Sequence, residues 1–138
     1  MNSMKKSFFQ RGFTLLELLV VISIIGILIA MGAAAFSTAQ KKSRDARRRG
    51  DMKTIQNAFE QYYANNGSTY AACNTMASST YLPGGMPVDP QTQTAYTCTA
   101  TATTYCVCAT LEDTTAGNST NTSCAYGTGS AYCASNLQ

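Results

Sequence analysis

The residues best suited to chemistry are six cysteines, which all lie in the second half of the 138-residue chain. Six thiols can form three disulfides, and as thiolates they can instead bind zinc. A zinc site would be built on Cys106 and Cys108, but the chain has no histidine and no two Cys-x-x-C elements to complete it. We therefore predict disulfides and no metal. The candidates are Cys73, Cys98, Cys106, Cys108, Cys124 and Cys133.

One acidic side chain, Glu17, lies inside an otherwise uncharged apolar run at residues 13–36. As an α-helix this run spans about 36 Å, which exceeds the roughly 30 Å hydrocarbon core of a bilayer. An ionised carboxylate in that core costs about 2.5–3.5 kcal/mol on insertion scales, so Glu17 should be paired or functional. An ordinary signal peptide cleaved at the alanines of residues 33–35, or a plain membrane anchor, would give the acid no purpose. A tolerated stray acid near the helix end is the simplest alternative.

Catalytic chemistry has little support in the residue types. With no histidine in the chain, neither a Ser-His-Asp triad nor a Cys-His pair can form. No glycine-rich phosphate-binding motif occurs either. We predict a protein that is not an enzyme and that needs no cofactor.

A basic run at residues 41–49 raises the hypothesis of nucleic-acid binding. The run contains no interleaved aromatic side chain. We therefore favour a solvated helix segment in which Asp45 and Asp51 pair with cations three or four residues away. On this interpretation nucleic acid is not an expected partner, and the three arginines at residues 47–49 should tolerate replacement by glutamine.

A long helix must position these groups. Beyond the basic run, an apolar residue recurs every three or four positions, which is typical of one buried helix face. Asn65-Asn66-Gly67 is a helix stop, because glycine adopts the left-handed conformation without strain. The pattern predicts that the apolar helix continues as an amphipathic helix over residues 37–65. The residues of its stripe are Met52, Ile55, Phe59 and Tyr62.

The remaining residues, 66–138, are predicted to form a small head with few aliphatic side chains. So small a core needs covalent cross-links, and three disulfides would each add about 2–4 kcal/mol to the free energy of unfolding. Residues 95–99 and 104–111 are rich in Tyr, Thr and Val and predict an antiparallel hairpin. Alternation along the second segment predicts one buried face. Fifteen disulfide connectivities are possible, and Cys98 with Cys106 or Cys108 would tie this hairpin.

The start of the apolar run carries a family resemblance. Gly-Phe-Thr-Leu-Leu-Glu-Leu-Leu-Val-Val-Ile, at residues 12–22, resembles the prepilin signal of type IV pilins and type II secretion pseudopilins. The resemblance implies that a dedicated membrane peptidase cuts between Gly12 and Phe13, and that Phe13 is then N-methylated. It also implies that Glu17 meets the N-terminal amine of a neighbouring subunit during assembly. Residues 1–12 would be a cleaved leader, and residues 13–36 would be the transmembrane and filament-core helix.

The same resemblance implies a fold and a function. The fold is α+β and type IV pilin-like, with a long N-terminal helix packed on a small antiparallel β-sheet head. The function is that of a structural subunit of a type IV pilus-like extracellular filament. The alternatives are a pseudopilin of a type II secretion system and a membrane-anchored adhesin that never polymerises.

Partners and location follow from the resemblance as further expectations. The partners are the prepilin peptidase, copies of the chain and other pilins, the assembly machinery, and a membrane crossed once. The head lies outside the cytoplasm, and the assembled filament lies at the cell surface. A bond between Cys124 and Cys133 would resemble the disulfide-bounded loop of many pilins. Beyond Asp113 no side-chain carboxylate occurs, so the calcium loop of the major pseudopilins is not expected.

Overall fold

The computed structural model describes residues 12–138, so the predicted leader lies outside the described residues except for Gly12. Helix α1 runs over Leu15–Asn65. Its end is a Schellman motif, in which Gly67 has a φ of 65° and the Ser68 N–H donates to the Tyr63 carbonyl at 3.2 Å. Within these residues the chain divides into two units, which meet between Ser37 and Thr38.

The first unit is the apolar part of α1. Its large hydrophobic side chains are exposed, from Leu15 at 82% to Phe36 at 65%. By length and composition the helix could cross a membrane. An apolar surface of this extent is unstable in water and needs lipid or protein around it.

The second unit contains the rest of α1, a short helix α2 over Cys73–Ala77 and a five-stranded antiparallel sheet. The sheet order is β1-β2-β5-β3-β4. This arrangement confirms the predicted α+β fold. The predicted hairpin is β1 with β2. Residues 117–135, for which the sequence predicted no individual strand, supply the other three strands. The strands are β1 (Thr97–Ala100), β2 (Tyr105–Thr110), β3 (Gly117–Ser119), β4 (Tyr126–Gly129) and β5 (Ala131–Ser135).

The core forms where α1 meets β2. Phe59 of α1 is fully buried and stacks on Tyr105 of β2 with 4.3 Å between the ring centroids. Val107 and Ala109 follow Tyr105 on the same face of the strand and are also buried, as the alternation predicts. The helix contributes Met52, Ile55 and Ala58 to the same cluster.

Disulfides join all six cysteines, which confirms their predicted oxidation, but the suggested pairings are wrong. Cys108 lies directly opposite Cys133 in the β2–β5 register. Because opposed residues of antiparallel strands share a face, these two thiols are adjacent, and Cys124 therefore bonds Cys106 rather than Cys133. The bonds are Cys73–Cys98, Cys106–Cys124 and Cys108–Cys133.

The strand register also explains why Cys98 bonds neither Cys106 nor Cys108. Cys98 lies opposite Val107, so its side chain is on the face of the sheet that packs against the core. Cys106 and Cys108 flank Val107 and therefore point to the other face. Cys98 instead reaches Cys73 at the start of α2.

Candidate functional site

The predicted cleavage site lies in an accessible, non-helical segment. Gly12 and Phe13 precede α1, which begins at Leu15, and the Phe13 side chain is 84% exposed. A protease must bind its substrate in an extended form, which a hydrogen-bonded helix interior does not offer. The geometry is therefore compatible with cleavage between these two residues.

Glu17 belongs to a capping box at the start of α1. Its Oε2 accepts hydrogen bonds from the Thr14 N–H at 2.9 Å and from the Thr14 hydroxyl at 2.8 Å. The Glu17 N–H donates to the Thr14 Oγ1 at 3.2 Å. These reciprocal bonds satisfy backbone donors that a helix start otherwise leaves unpaired. Within the described residues Glu17 is therefore not a stray acid.

Sequence reasoning missed this cap, although the spacing Thr-x-x-Glu before an apolar run is its usual signature. The cap uses only Oε2 of Glu17, and within residues 12–138 no hydrogen bond to its Oε1 occurs. The same carboxylate can thus cap its own helix and still offer an oxygen to a cation.

A second candidate site lies in the second unit, where Arg48 is the centre of a buried ion-pair cluster. Its side chain is 3% exposed, and its guanidinium donates to Asp45 at 2.7 Å, Asp89 at 2.6 Å and Glu112 at 3.1 Å. The predicted pairing of Asp45 with a cation three residues away is present. The interpretation of the whole run as a solvated segment is wrong for Arg48, because two acids of the head and one of α1 surround it.

The cluster joins α1 to two loops of the head. Asp89 lies before β1, where its carboxylate also accepts the N–H groups of Gln91 and Thr92. Glu112 follows β2, and the N–H groups of residues 112 and 113 donate to the Asp45 carboxylate at 2.9 and 3.0 Å. Each acid is held by backbone donors or a second cation as well as by Arg48. A signal existed in the charge distribution, since every cation is at or before Lys53 and buried acids of the head need partners.

The other arginines of the run differ in their contacts. Arg44 makes a two-pronged ion pair with Glu112. Arg49 donates to the Ala116 carbonyl at 2.9 Å, and its guanidinium lies 5.7 Å from the centre of the Tyr132 ring. Arg47 is exposed, so the solvated interpretation does describe this residue. Among the described residues Asp51 forms no ion pair with a nearby cation, contrary to the prediction, and it accepts the Tyr96 hydroxyl at 2.6 Å.

These contacts change the acidity of the clustered groups. The hydrogen bond from Arg48 is the main reason that the pKa of Asp89 is far below its ordinary value. The hydrogen bond from Arg44, aided by Arg48, lowers the pKa of Glu112 to about 2. Both carboxylates are therefore ionised over the whole physiological range, and the guanidinium of Arg48 remains charged beside them.

A second polar cluster secures the far end of the head. The Glu60 carboxylate accepts the Tyr70 hydroxyl at 3.1 Å and the Tyr105 hydroxyl at 3.0 Å, and it also accepts the Leu137 N–H at 3.0 Å. Burial is the main reason that the pKa of Tyr70 rises to about 12. The tyrosines that enlarge the small core therefore keep their protons and donate to one acid of α1.

The cysteine cluster could be mistaken for a metal centre. The sulfur atoms of Cys106, Cys108 and Cys124 all lie within 4.8 Å of one another. They belong to two disulfides, however, and a disulfide sulfur carries no thiolate charge with which to bind zinc. The arrangement therefore acts as a pair of neighbouring cross-links on one face of the sheet.

Comparison with known proteins agrees with the N-terminal geometry. The family described as the prokaryotic N-terminal methylation motif matches residues 8–33. The chain is 35% identical over 55 residues to the type IV major pilin protein PilA of Myxococcus xanthus. The aligned residues make up 40% of the chain and 25% of that pilin. It is 38% identical over 78 residues to a fimbrial protein of Neisseria meningitidis, covering 54% of the chain and 45% of the relative.

A secretion protein is also among the relatives. The chain is 37% identical over 57 residues to the type II secretion system core protein G of Escherichia coli, which covers 41% of the chain and 39% of that protein. The chain thus spans less than half the length of each of these relatives. No solved structure matches it significantly.

The apolar helix with its capped start and the five-stranded antiparallel head define a type IV pilin-like α+β protein. The methylation motif and these relatives make the N-terminal part of the chain similar to type IV pilins and to a type II secretion core protein. These relatives are named as pilin, fimbrial and secretion-system core proteins, which argues against an enzyme.

Proposed function

We propose that the chain is a structural subunit of a type IV pilus-like extracellular filament. The observation that carries the proposal is the methylation motif at residues 8–33, with an exposed site at Gly12 and Phe13 and an exposed apolar helix after it. Residues 13–36 would anchor the unassembled subunit in the cytoplasmic membrane with the head outside. After cleavage of residues 1–12, the same helix would pack into the filament core.

Glu17 has a specific role in this proposal. Cleavage before Phe13 creates an amine close to the helix start, and an acid of the adjacent subunit can neutralise it in a water-poor core. The capping bonds in the described chain support this role because they hold the Glu17 carboxylate at the first turn of α1. Removing one member of a buried charge pair costs about 3–5 kcal/mol, which is enough to prevent assembly.

Two substitutions separate the charge of Glu17 from its capping function. Glu17→Gln keeps a side chain that can complete the capping box but removes the charge. Thr14→Ala removes the capping hydroxyl but keeps the charge, at a cost of about 1 kcal/mol to the helix start. We expect Glu17→Gln to enter the membrane normally and to form few or no filaments. Thr14→Ala should form filaments, as counted by electron microscopy beside immunoblots of the membrane fraction.

The opposite pattern would contradict the proposed charge pairing. If Glu17→Gln assembles normally while Thr14→Ala does not, Glu17 acts only as a helix cap. Processing is tested independently: mass spectrometry of assembled protein should find N-methylated Phe13 as its first residue. Cleavage near Ala35 instead would indicate an ordinary secreted protein and would end the filament proposal.

The second candidate function is that of a type II secretion pseudopilin, which the similarity to core protein G supports. Both functions use the same signal and helix, so a gene deletion must separate them. Loss of surface filaments with normal protein secretion identifies a pilin. Loss of secretion without loss of surface filaments identifies a pseudopilin. If the chain is instead a membrane-anchored adhesin that does not polymerise, chemical cross-linking of intact cells should not join it to its own copies.

A further inference from the structure

The acids of the second unit are already engaged within the chain. Six side-chain carboxylates occur after Ser37, and each accepts at least one hydrogen bond from another residue. Asp113 is the exposed one, and it accepts the N–H and hydroxyl of Thr115. Of these six acids, a second copy of the chain therefore presents only Asp113 as an exposed carboxylate that could pair with a cation.

Three cations of the basic run are not engaged in this way. Lys41, Lys42 and Arg47 are exposed, and within residues 12–138 none of them donates a hydrogen bond or forms an ion pair. Lys42 contributes only a weak electrostatic effect on Asp113. By contrast Arg44 binds Glu112, and the same run has Arg48 buried among acids. Within residues 12–138 the three exposed cations thus form no ion pair with an acid of their own chain.

The placement of these cations along α1 indicates what kind of partner they have. An α-helix turns about 100° per residue, so the three side chains are about 100°, 140° and 120° apart around the helix. A single protein partner would contact one side of the helix, whereas a membrane surface surrounds it. Lys41 and Lys42 follow Phe36 by about 7.5 and 9 Å of helical rise, and Arg47 follows it by about 16.5 Å.

We propose that Lys41 and Lys42 bind the phosphate groups of anionic phospholipids at the outer face of the membrane, and that this contact holds the unassembled subunit. The inference rests on the proposed function, in which residues 13–36 span the bilayer. The headgroup layer adds about 5–7 Å to each side of the hydrocarbon core. Lysine stems extend back along the helix toward that layer while their ammonium groups stay hydrated. Arg47 contributes less because it lies farther from the surface.

The test uses the full chain purified in micelles of a neutral detergent. Native mass spectrometry measures the binding of phosphatidylglycerol, of phosphatidylcholine and of inorganic phosphate. We expect phosphatidylglycerol to bind most tightly of the three. Its affinity should fall about fivefold for each lysine removed, and therefore about 25-fold in the double variant Lys41→Gln, Lys42→Gln. Arg47→Gln should lose less than fivefold. Lys53→Gln removes the same charge about 18 Å beyond Lys41 and should change nothing.

Several results would overturn the inference. Equal binding of the two lipids shows that charge is not recognised, and an equal loss in Lys53→Gln shows that only net charge matters. Inorganic phosphate that binds as tightly as the lipid indicates a site for soluble anions. Unchanged lipid binding in the lysine variant, with loss of its cross-linking to another pilin, indicates an acidic protein partner.

A control separates this inference from the proposed function. Carbonate extraction of cell membranes shows whether each variant is embedded in the bilayer. A wild-type chain that is washed out contradicts the membrane anchor itself. An embedded chain that shows no preference for anionic lipid contradicts only the role of Lys41 and Lys42.

Discussion

Replacing Arg48 by glutamine should destabilise the head far more than the same change one residue earlier. Arg48 is 3% exposed and contacts three carboxylates, whereas Arg47 is exposed and contacts none within residues 12–138. Removing one partner of a buried ion pair costs about 3–5 kcal/mol, because the remaining charge stays buried without compensation. An exposed substitution is usually within about 0.5 kcal/mol of neutral.

The contacts of the three acids indicate where in that range the cost falls. Without Arg48, Glu112 keeps its ion pair with Arg44, and Asp45 keeps the backbone donors of residues 112 and 113. Asp89 keeps two backbone N–H donors but loses its cation. The penalty is therefore concentrated on one acid, and we expect about 3 kcal/mol. That loss is a large fraction of a domain stability of about 5–15 kcal/mol.

The assay is urea unfolding of the full, disulfide-intact chain in neutral detergent, followed by near-ultraviolet circular dichroism of the tyrosines. Arg48→Gln should lower the midpoint strongly and Arg47→Gln should leave it unchanged. The double variant Arg48→Gln, Asp89→Asn should lose less than the sum of its single changes, because the two residues interact. Equal midpoints for the two arginine variants would refute the assignment of Arg48 as a buried structural charge.

Three further results are expected from the same chain. First, stability should fall as the pH drops from about 4.5 toward 2, because the folded state lowers the pKa of Glu112 to about 2 and that of Asp89 as well; urea midpoints that do not fall over this range, or a Glu112→Gln variant with the same pH dependence, would contradict this. Second, peptide mapping under non-reducing conditions should recover the Cys73–Cys98, Cys106–Cys124 and Cys108–Cys133 pairs with almost no free thiol; a recovered Cys124–Cys133 pair would show that the β2–β5 register is different. Third, the double change of Cys73 and Cys98 to serine should cost about 2–4 kcal/mol in the urea assay; no loss would show that this bond does not constrain the unfolded chain.

Local signals in the sequence predicted the N-terminal part of the molecule. The apolar run, the acid at Glu17 and the glycine before Phe13 are neighbours in the chain. The length of the run predicts a membrane-spanning helix, and the resemblance of this local stretch to the prepilin signal implies that the helix is processed. The helix stop at Gly67 is equally local, because its left-handed backbone depends on the absence of a side chain. The capping box of Thr14 and Glu17 was readable by the same logic and was missed because the acid was interpreted only as a charge partner.

Alternation along one strand also predicted part of the head. Tyr105, Val107 and Ala109 are buried on one face of β2, as a period of two requires. Cys108, on the opposite face, is nevertheless 1% exposed. The two neighbouring disulfides, Cys106–Cys124 and Cys108–Cys133, cover that face of the sheet. The sequence of one strand does not reveal what covers its other face.

Only the tertiary structure decided the disulfide pairing and the role of the basic run. Arg48 is separated from Asp89 by 41 residues and from Glu112 by 64. No local spacing distinguishes it from Arg47, yet one residue of helical rotation directs one side chain into the head and the other into solvent. In the same way, the β2–β5 register places Cys133 opposite Cys108, so Cys108 bonds Cys133 and not a cysteine closer to it in the sequence. Burial and register depend on which surfaces meet after folding, and these surfaces are brought together by residues far apart in the sequence.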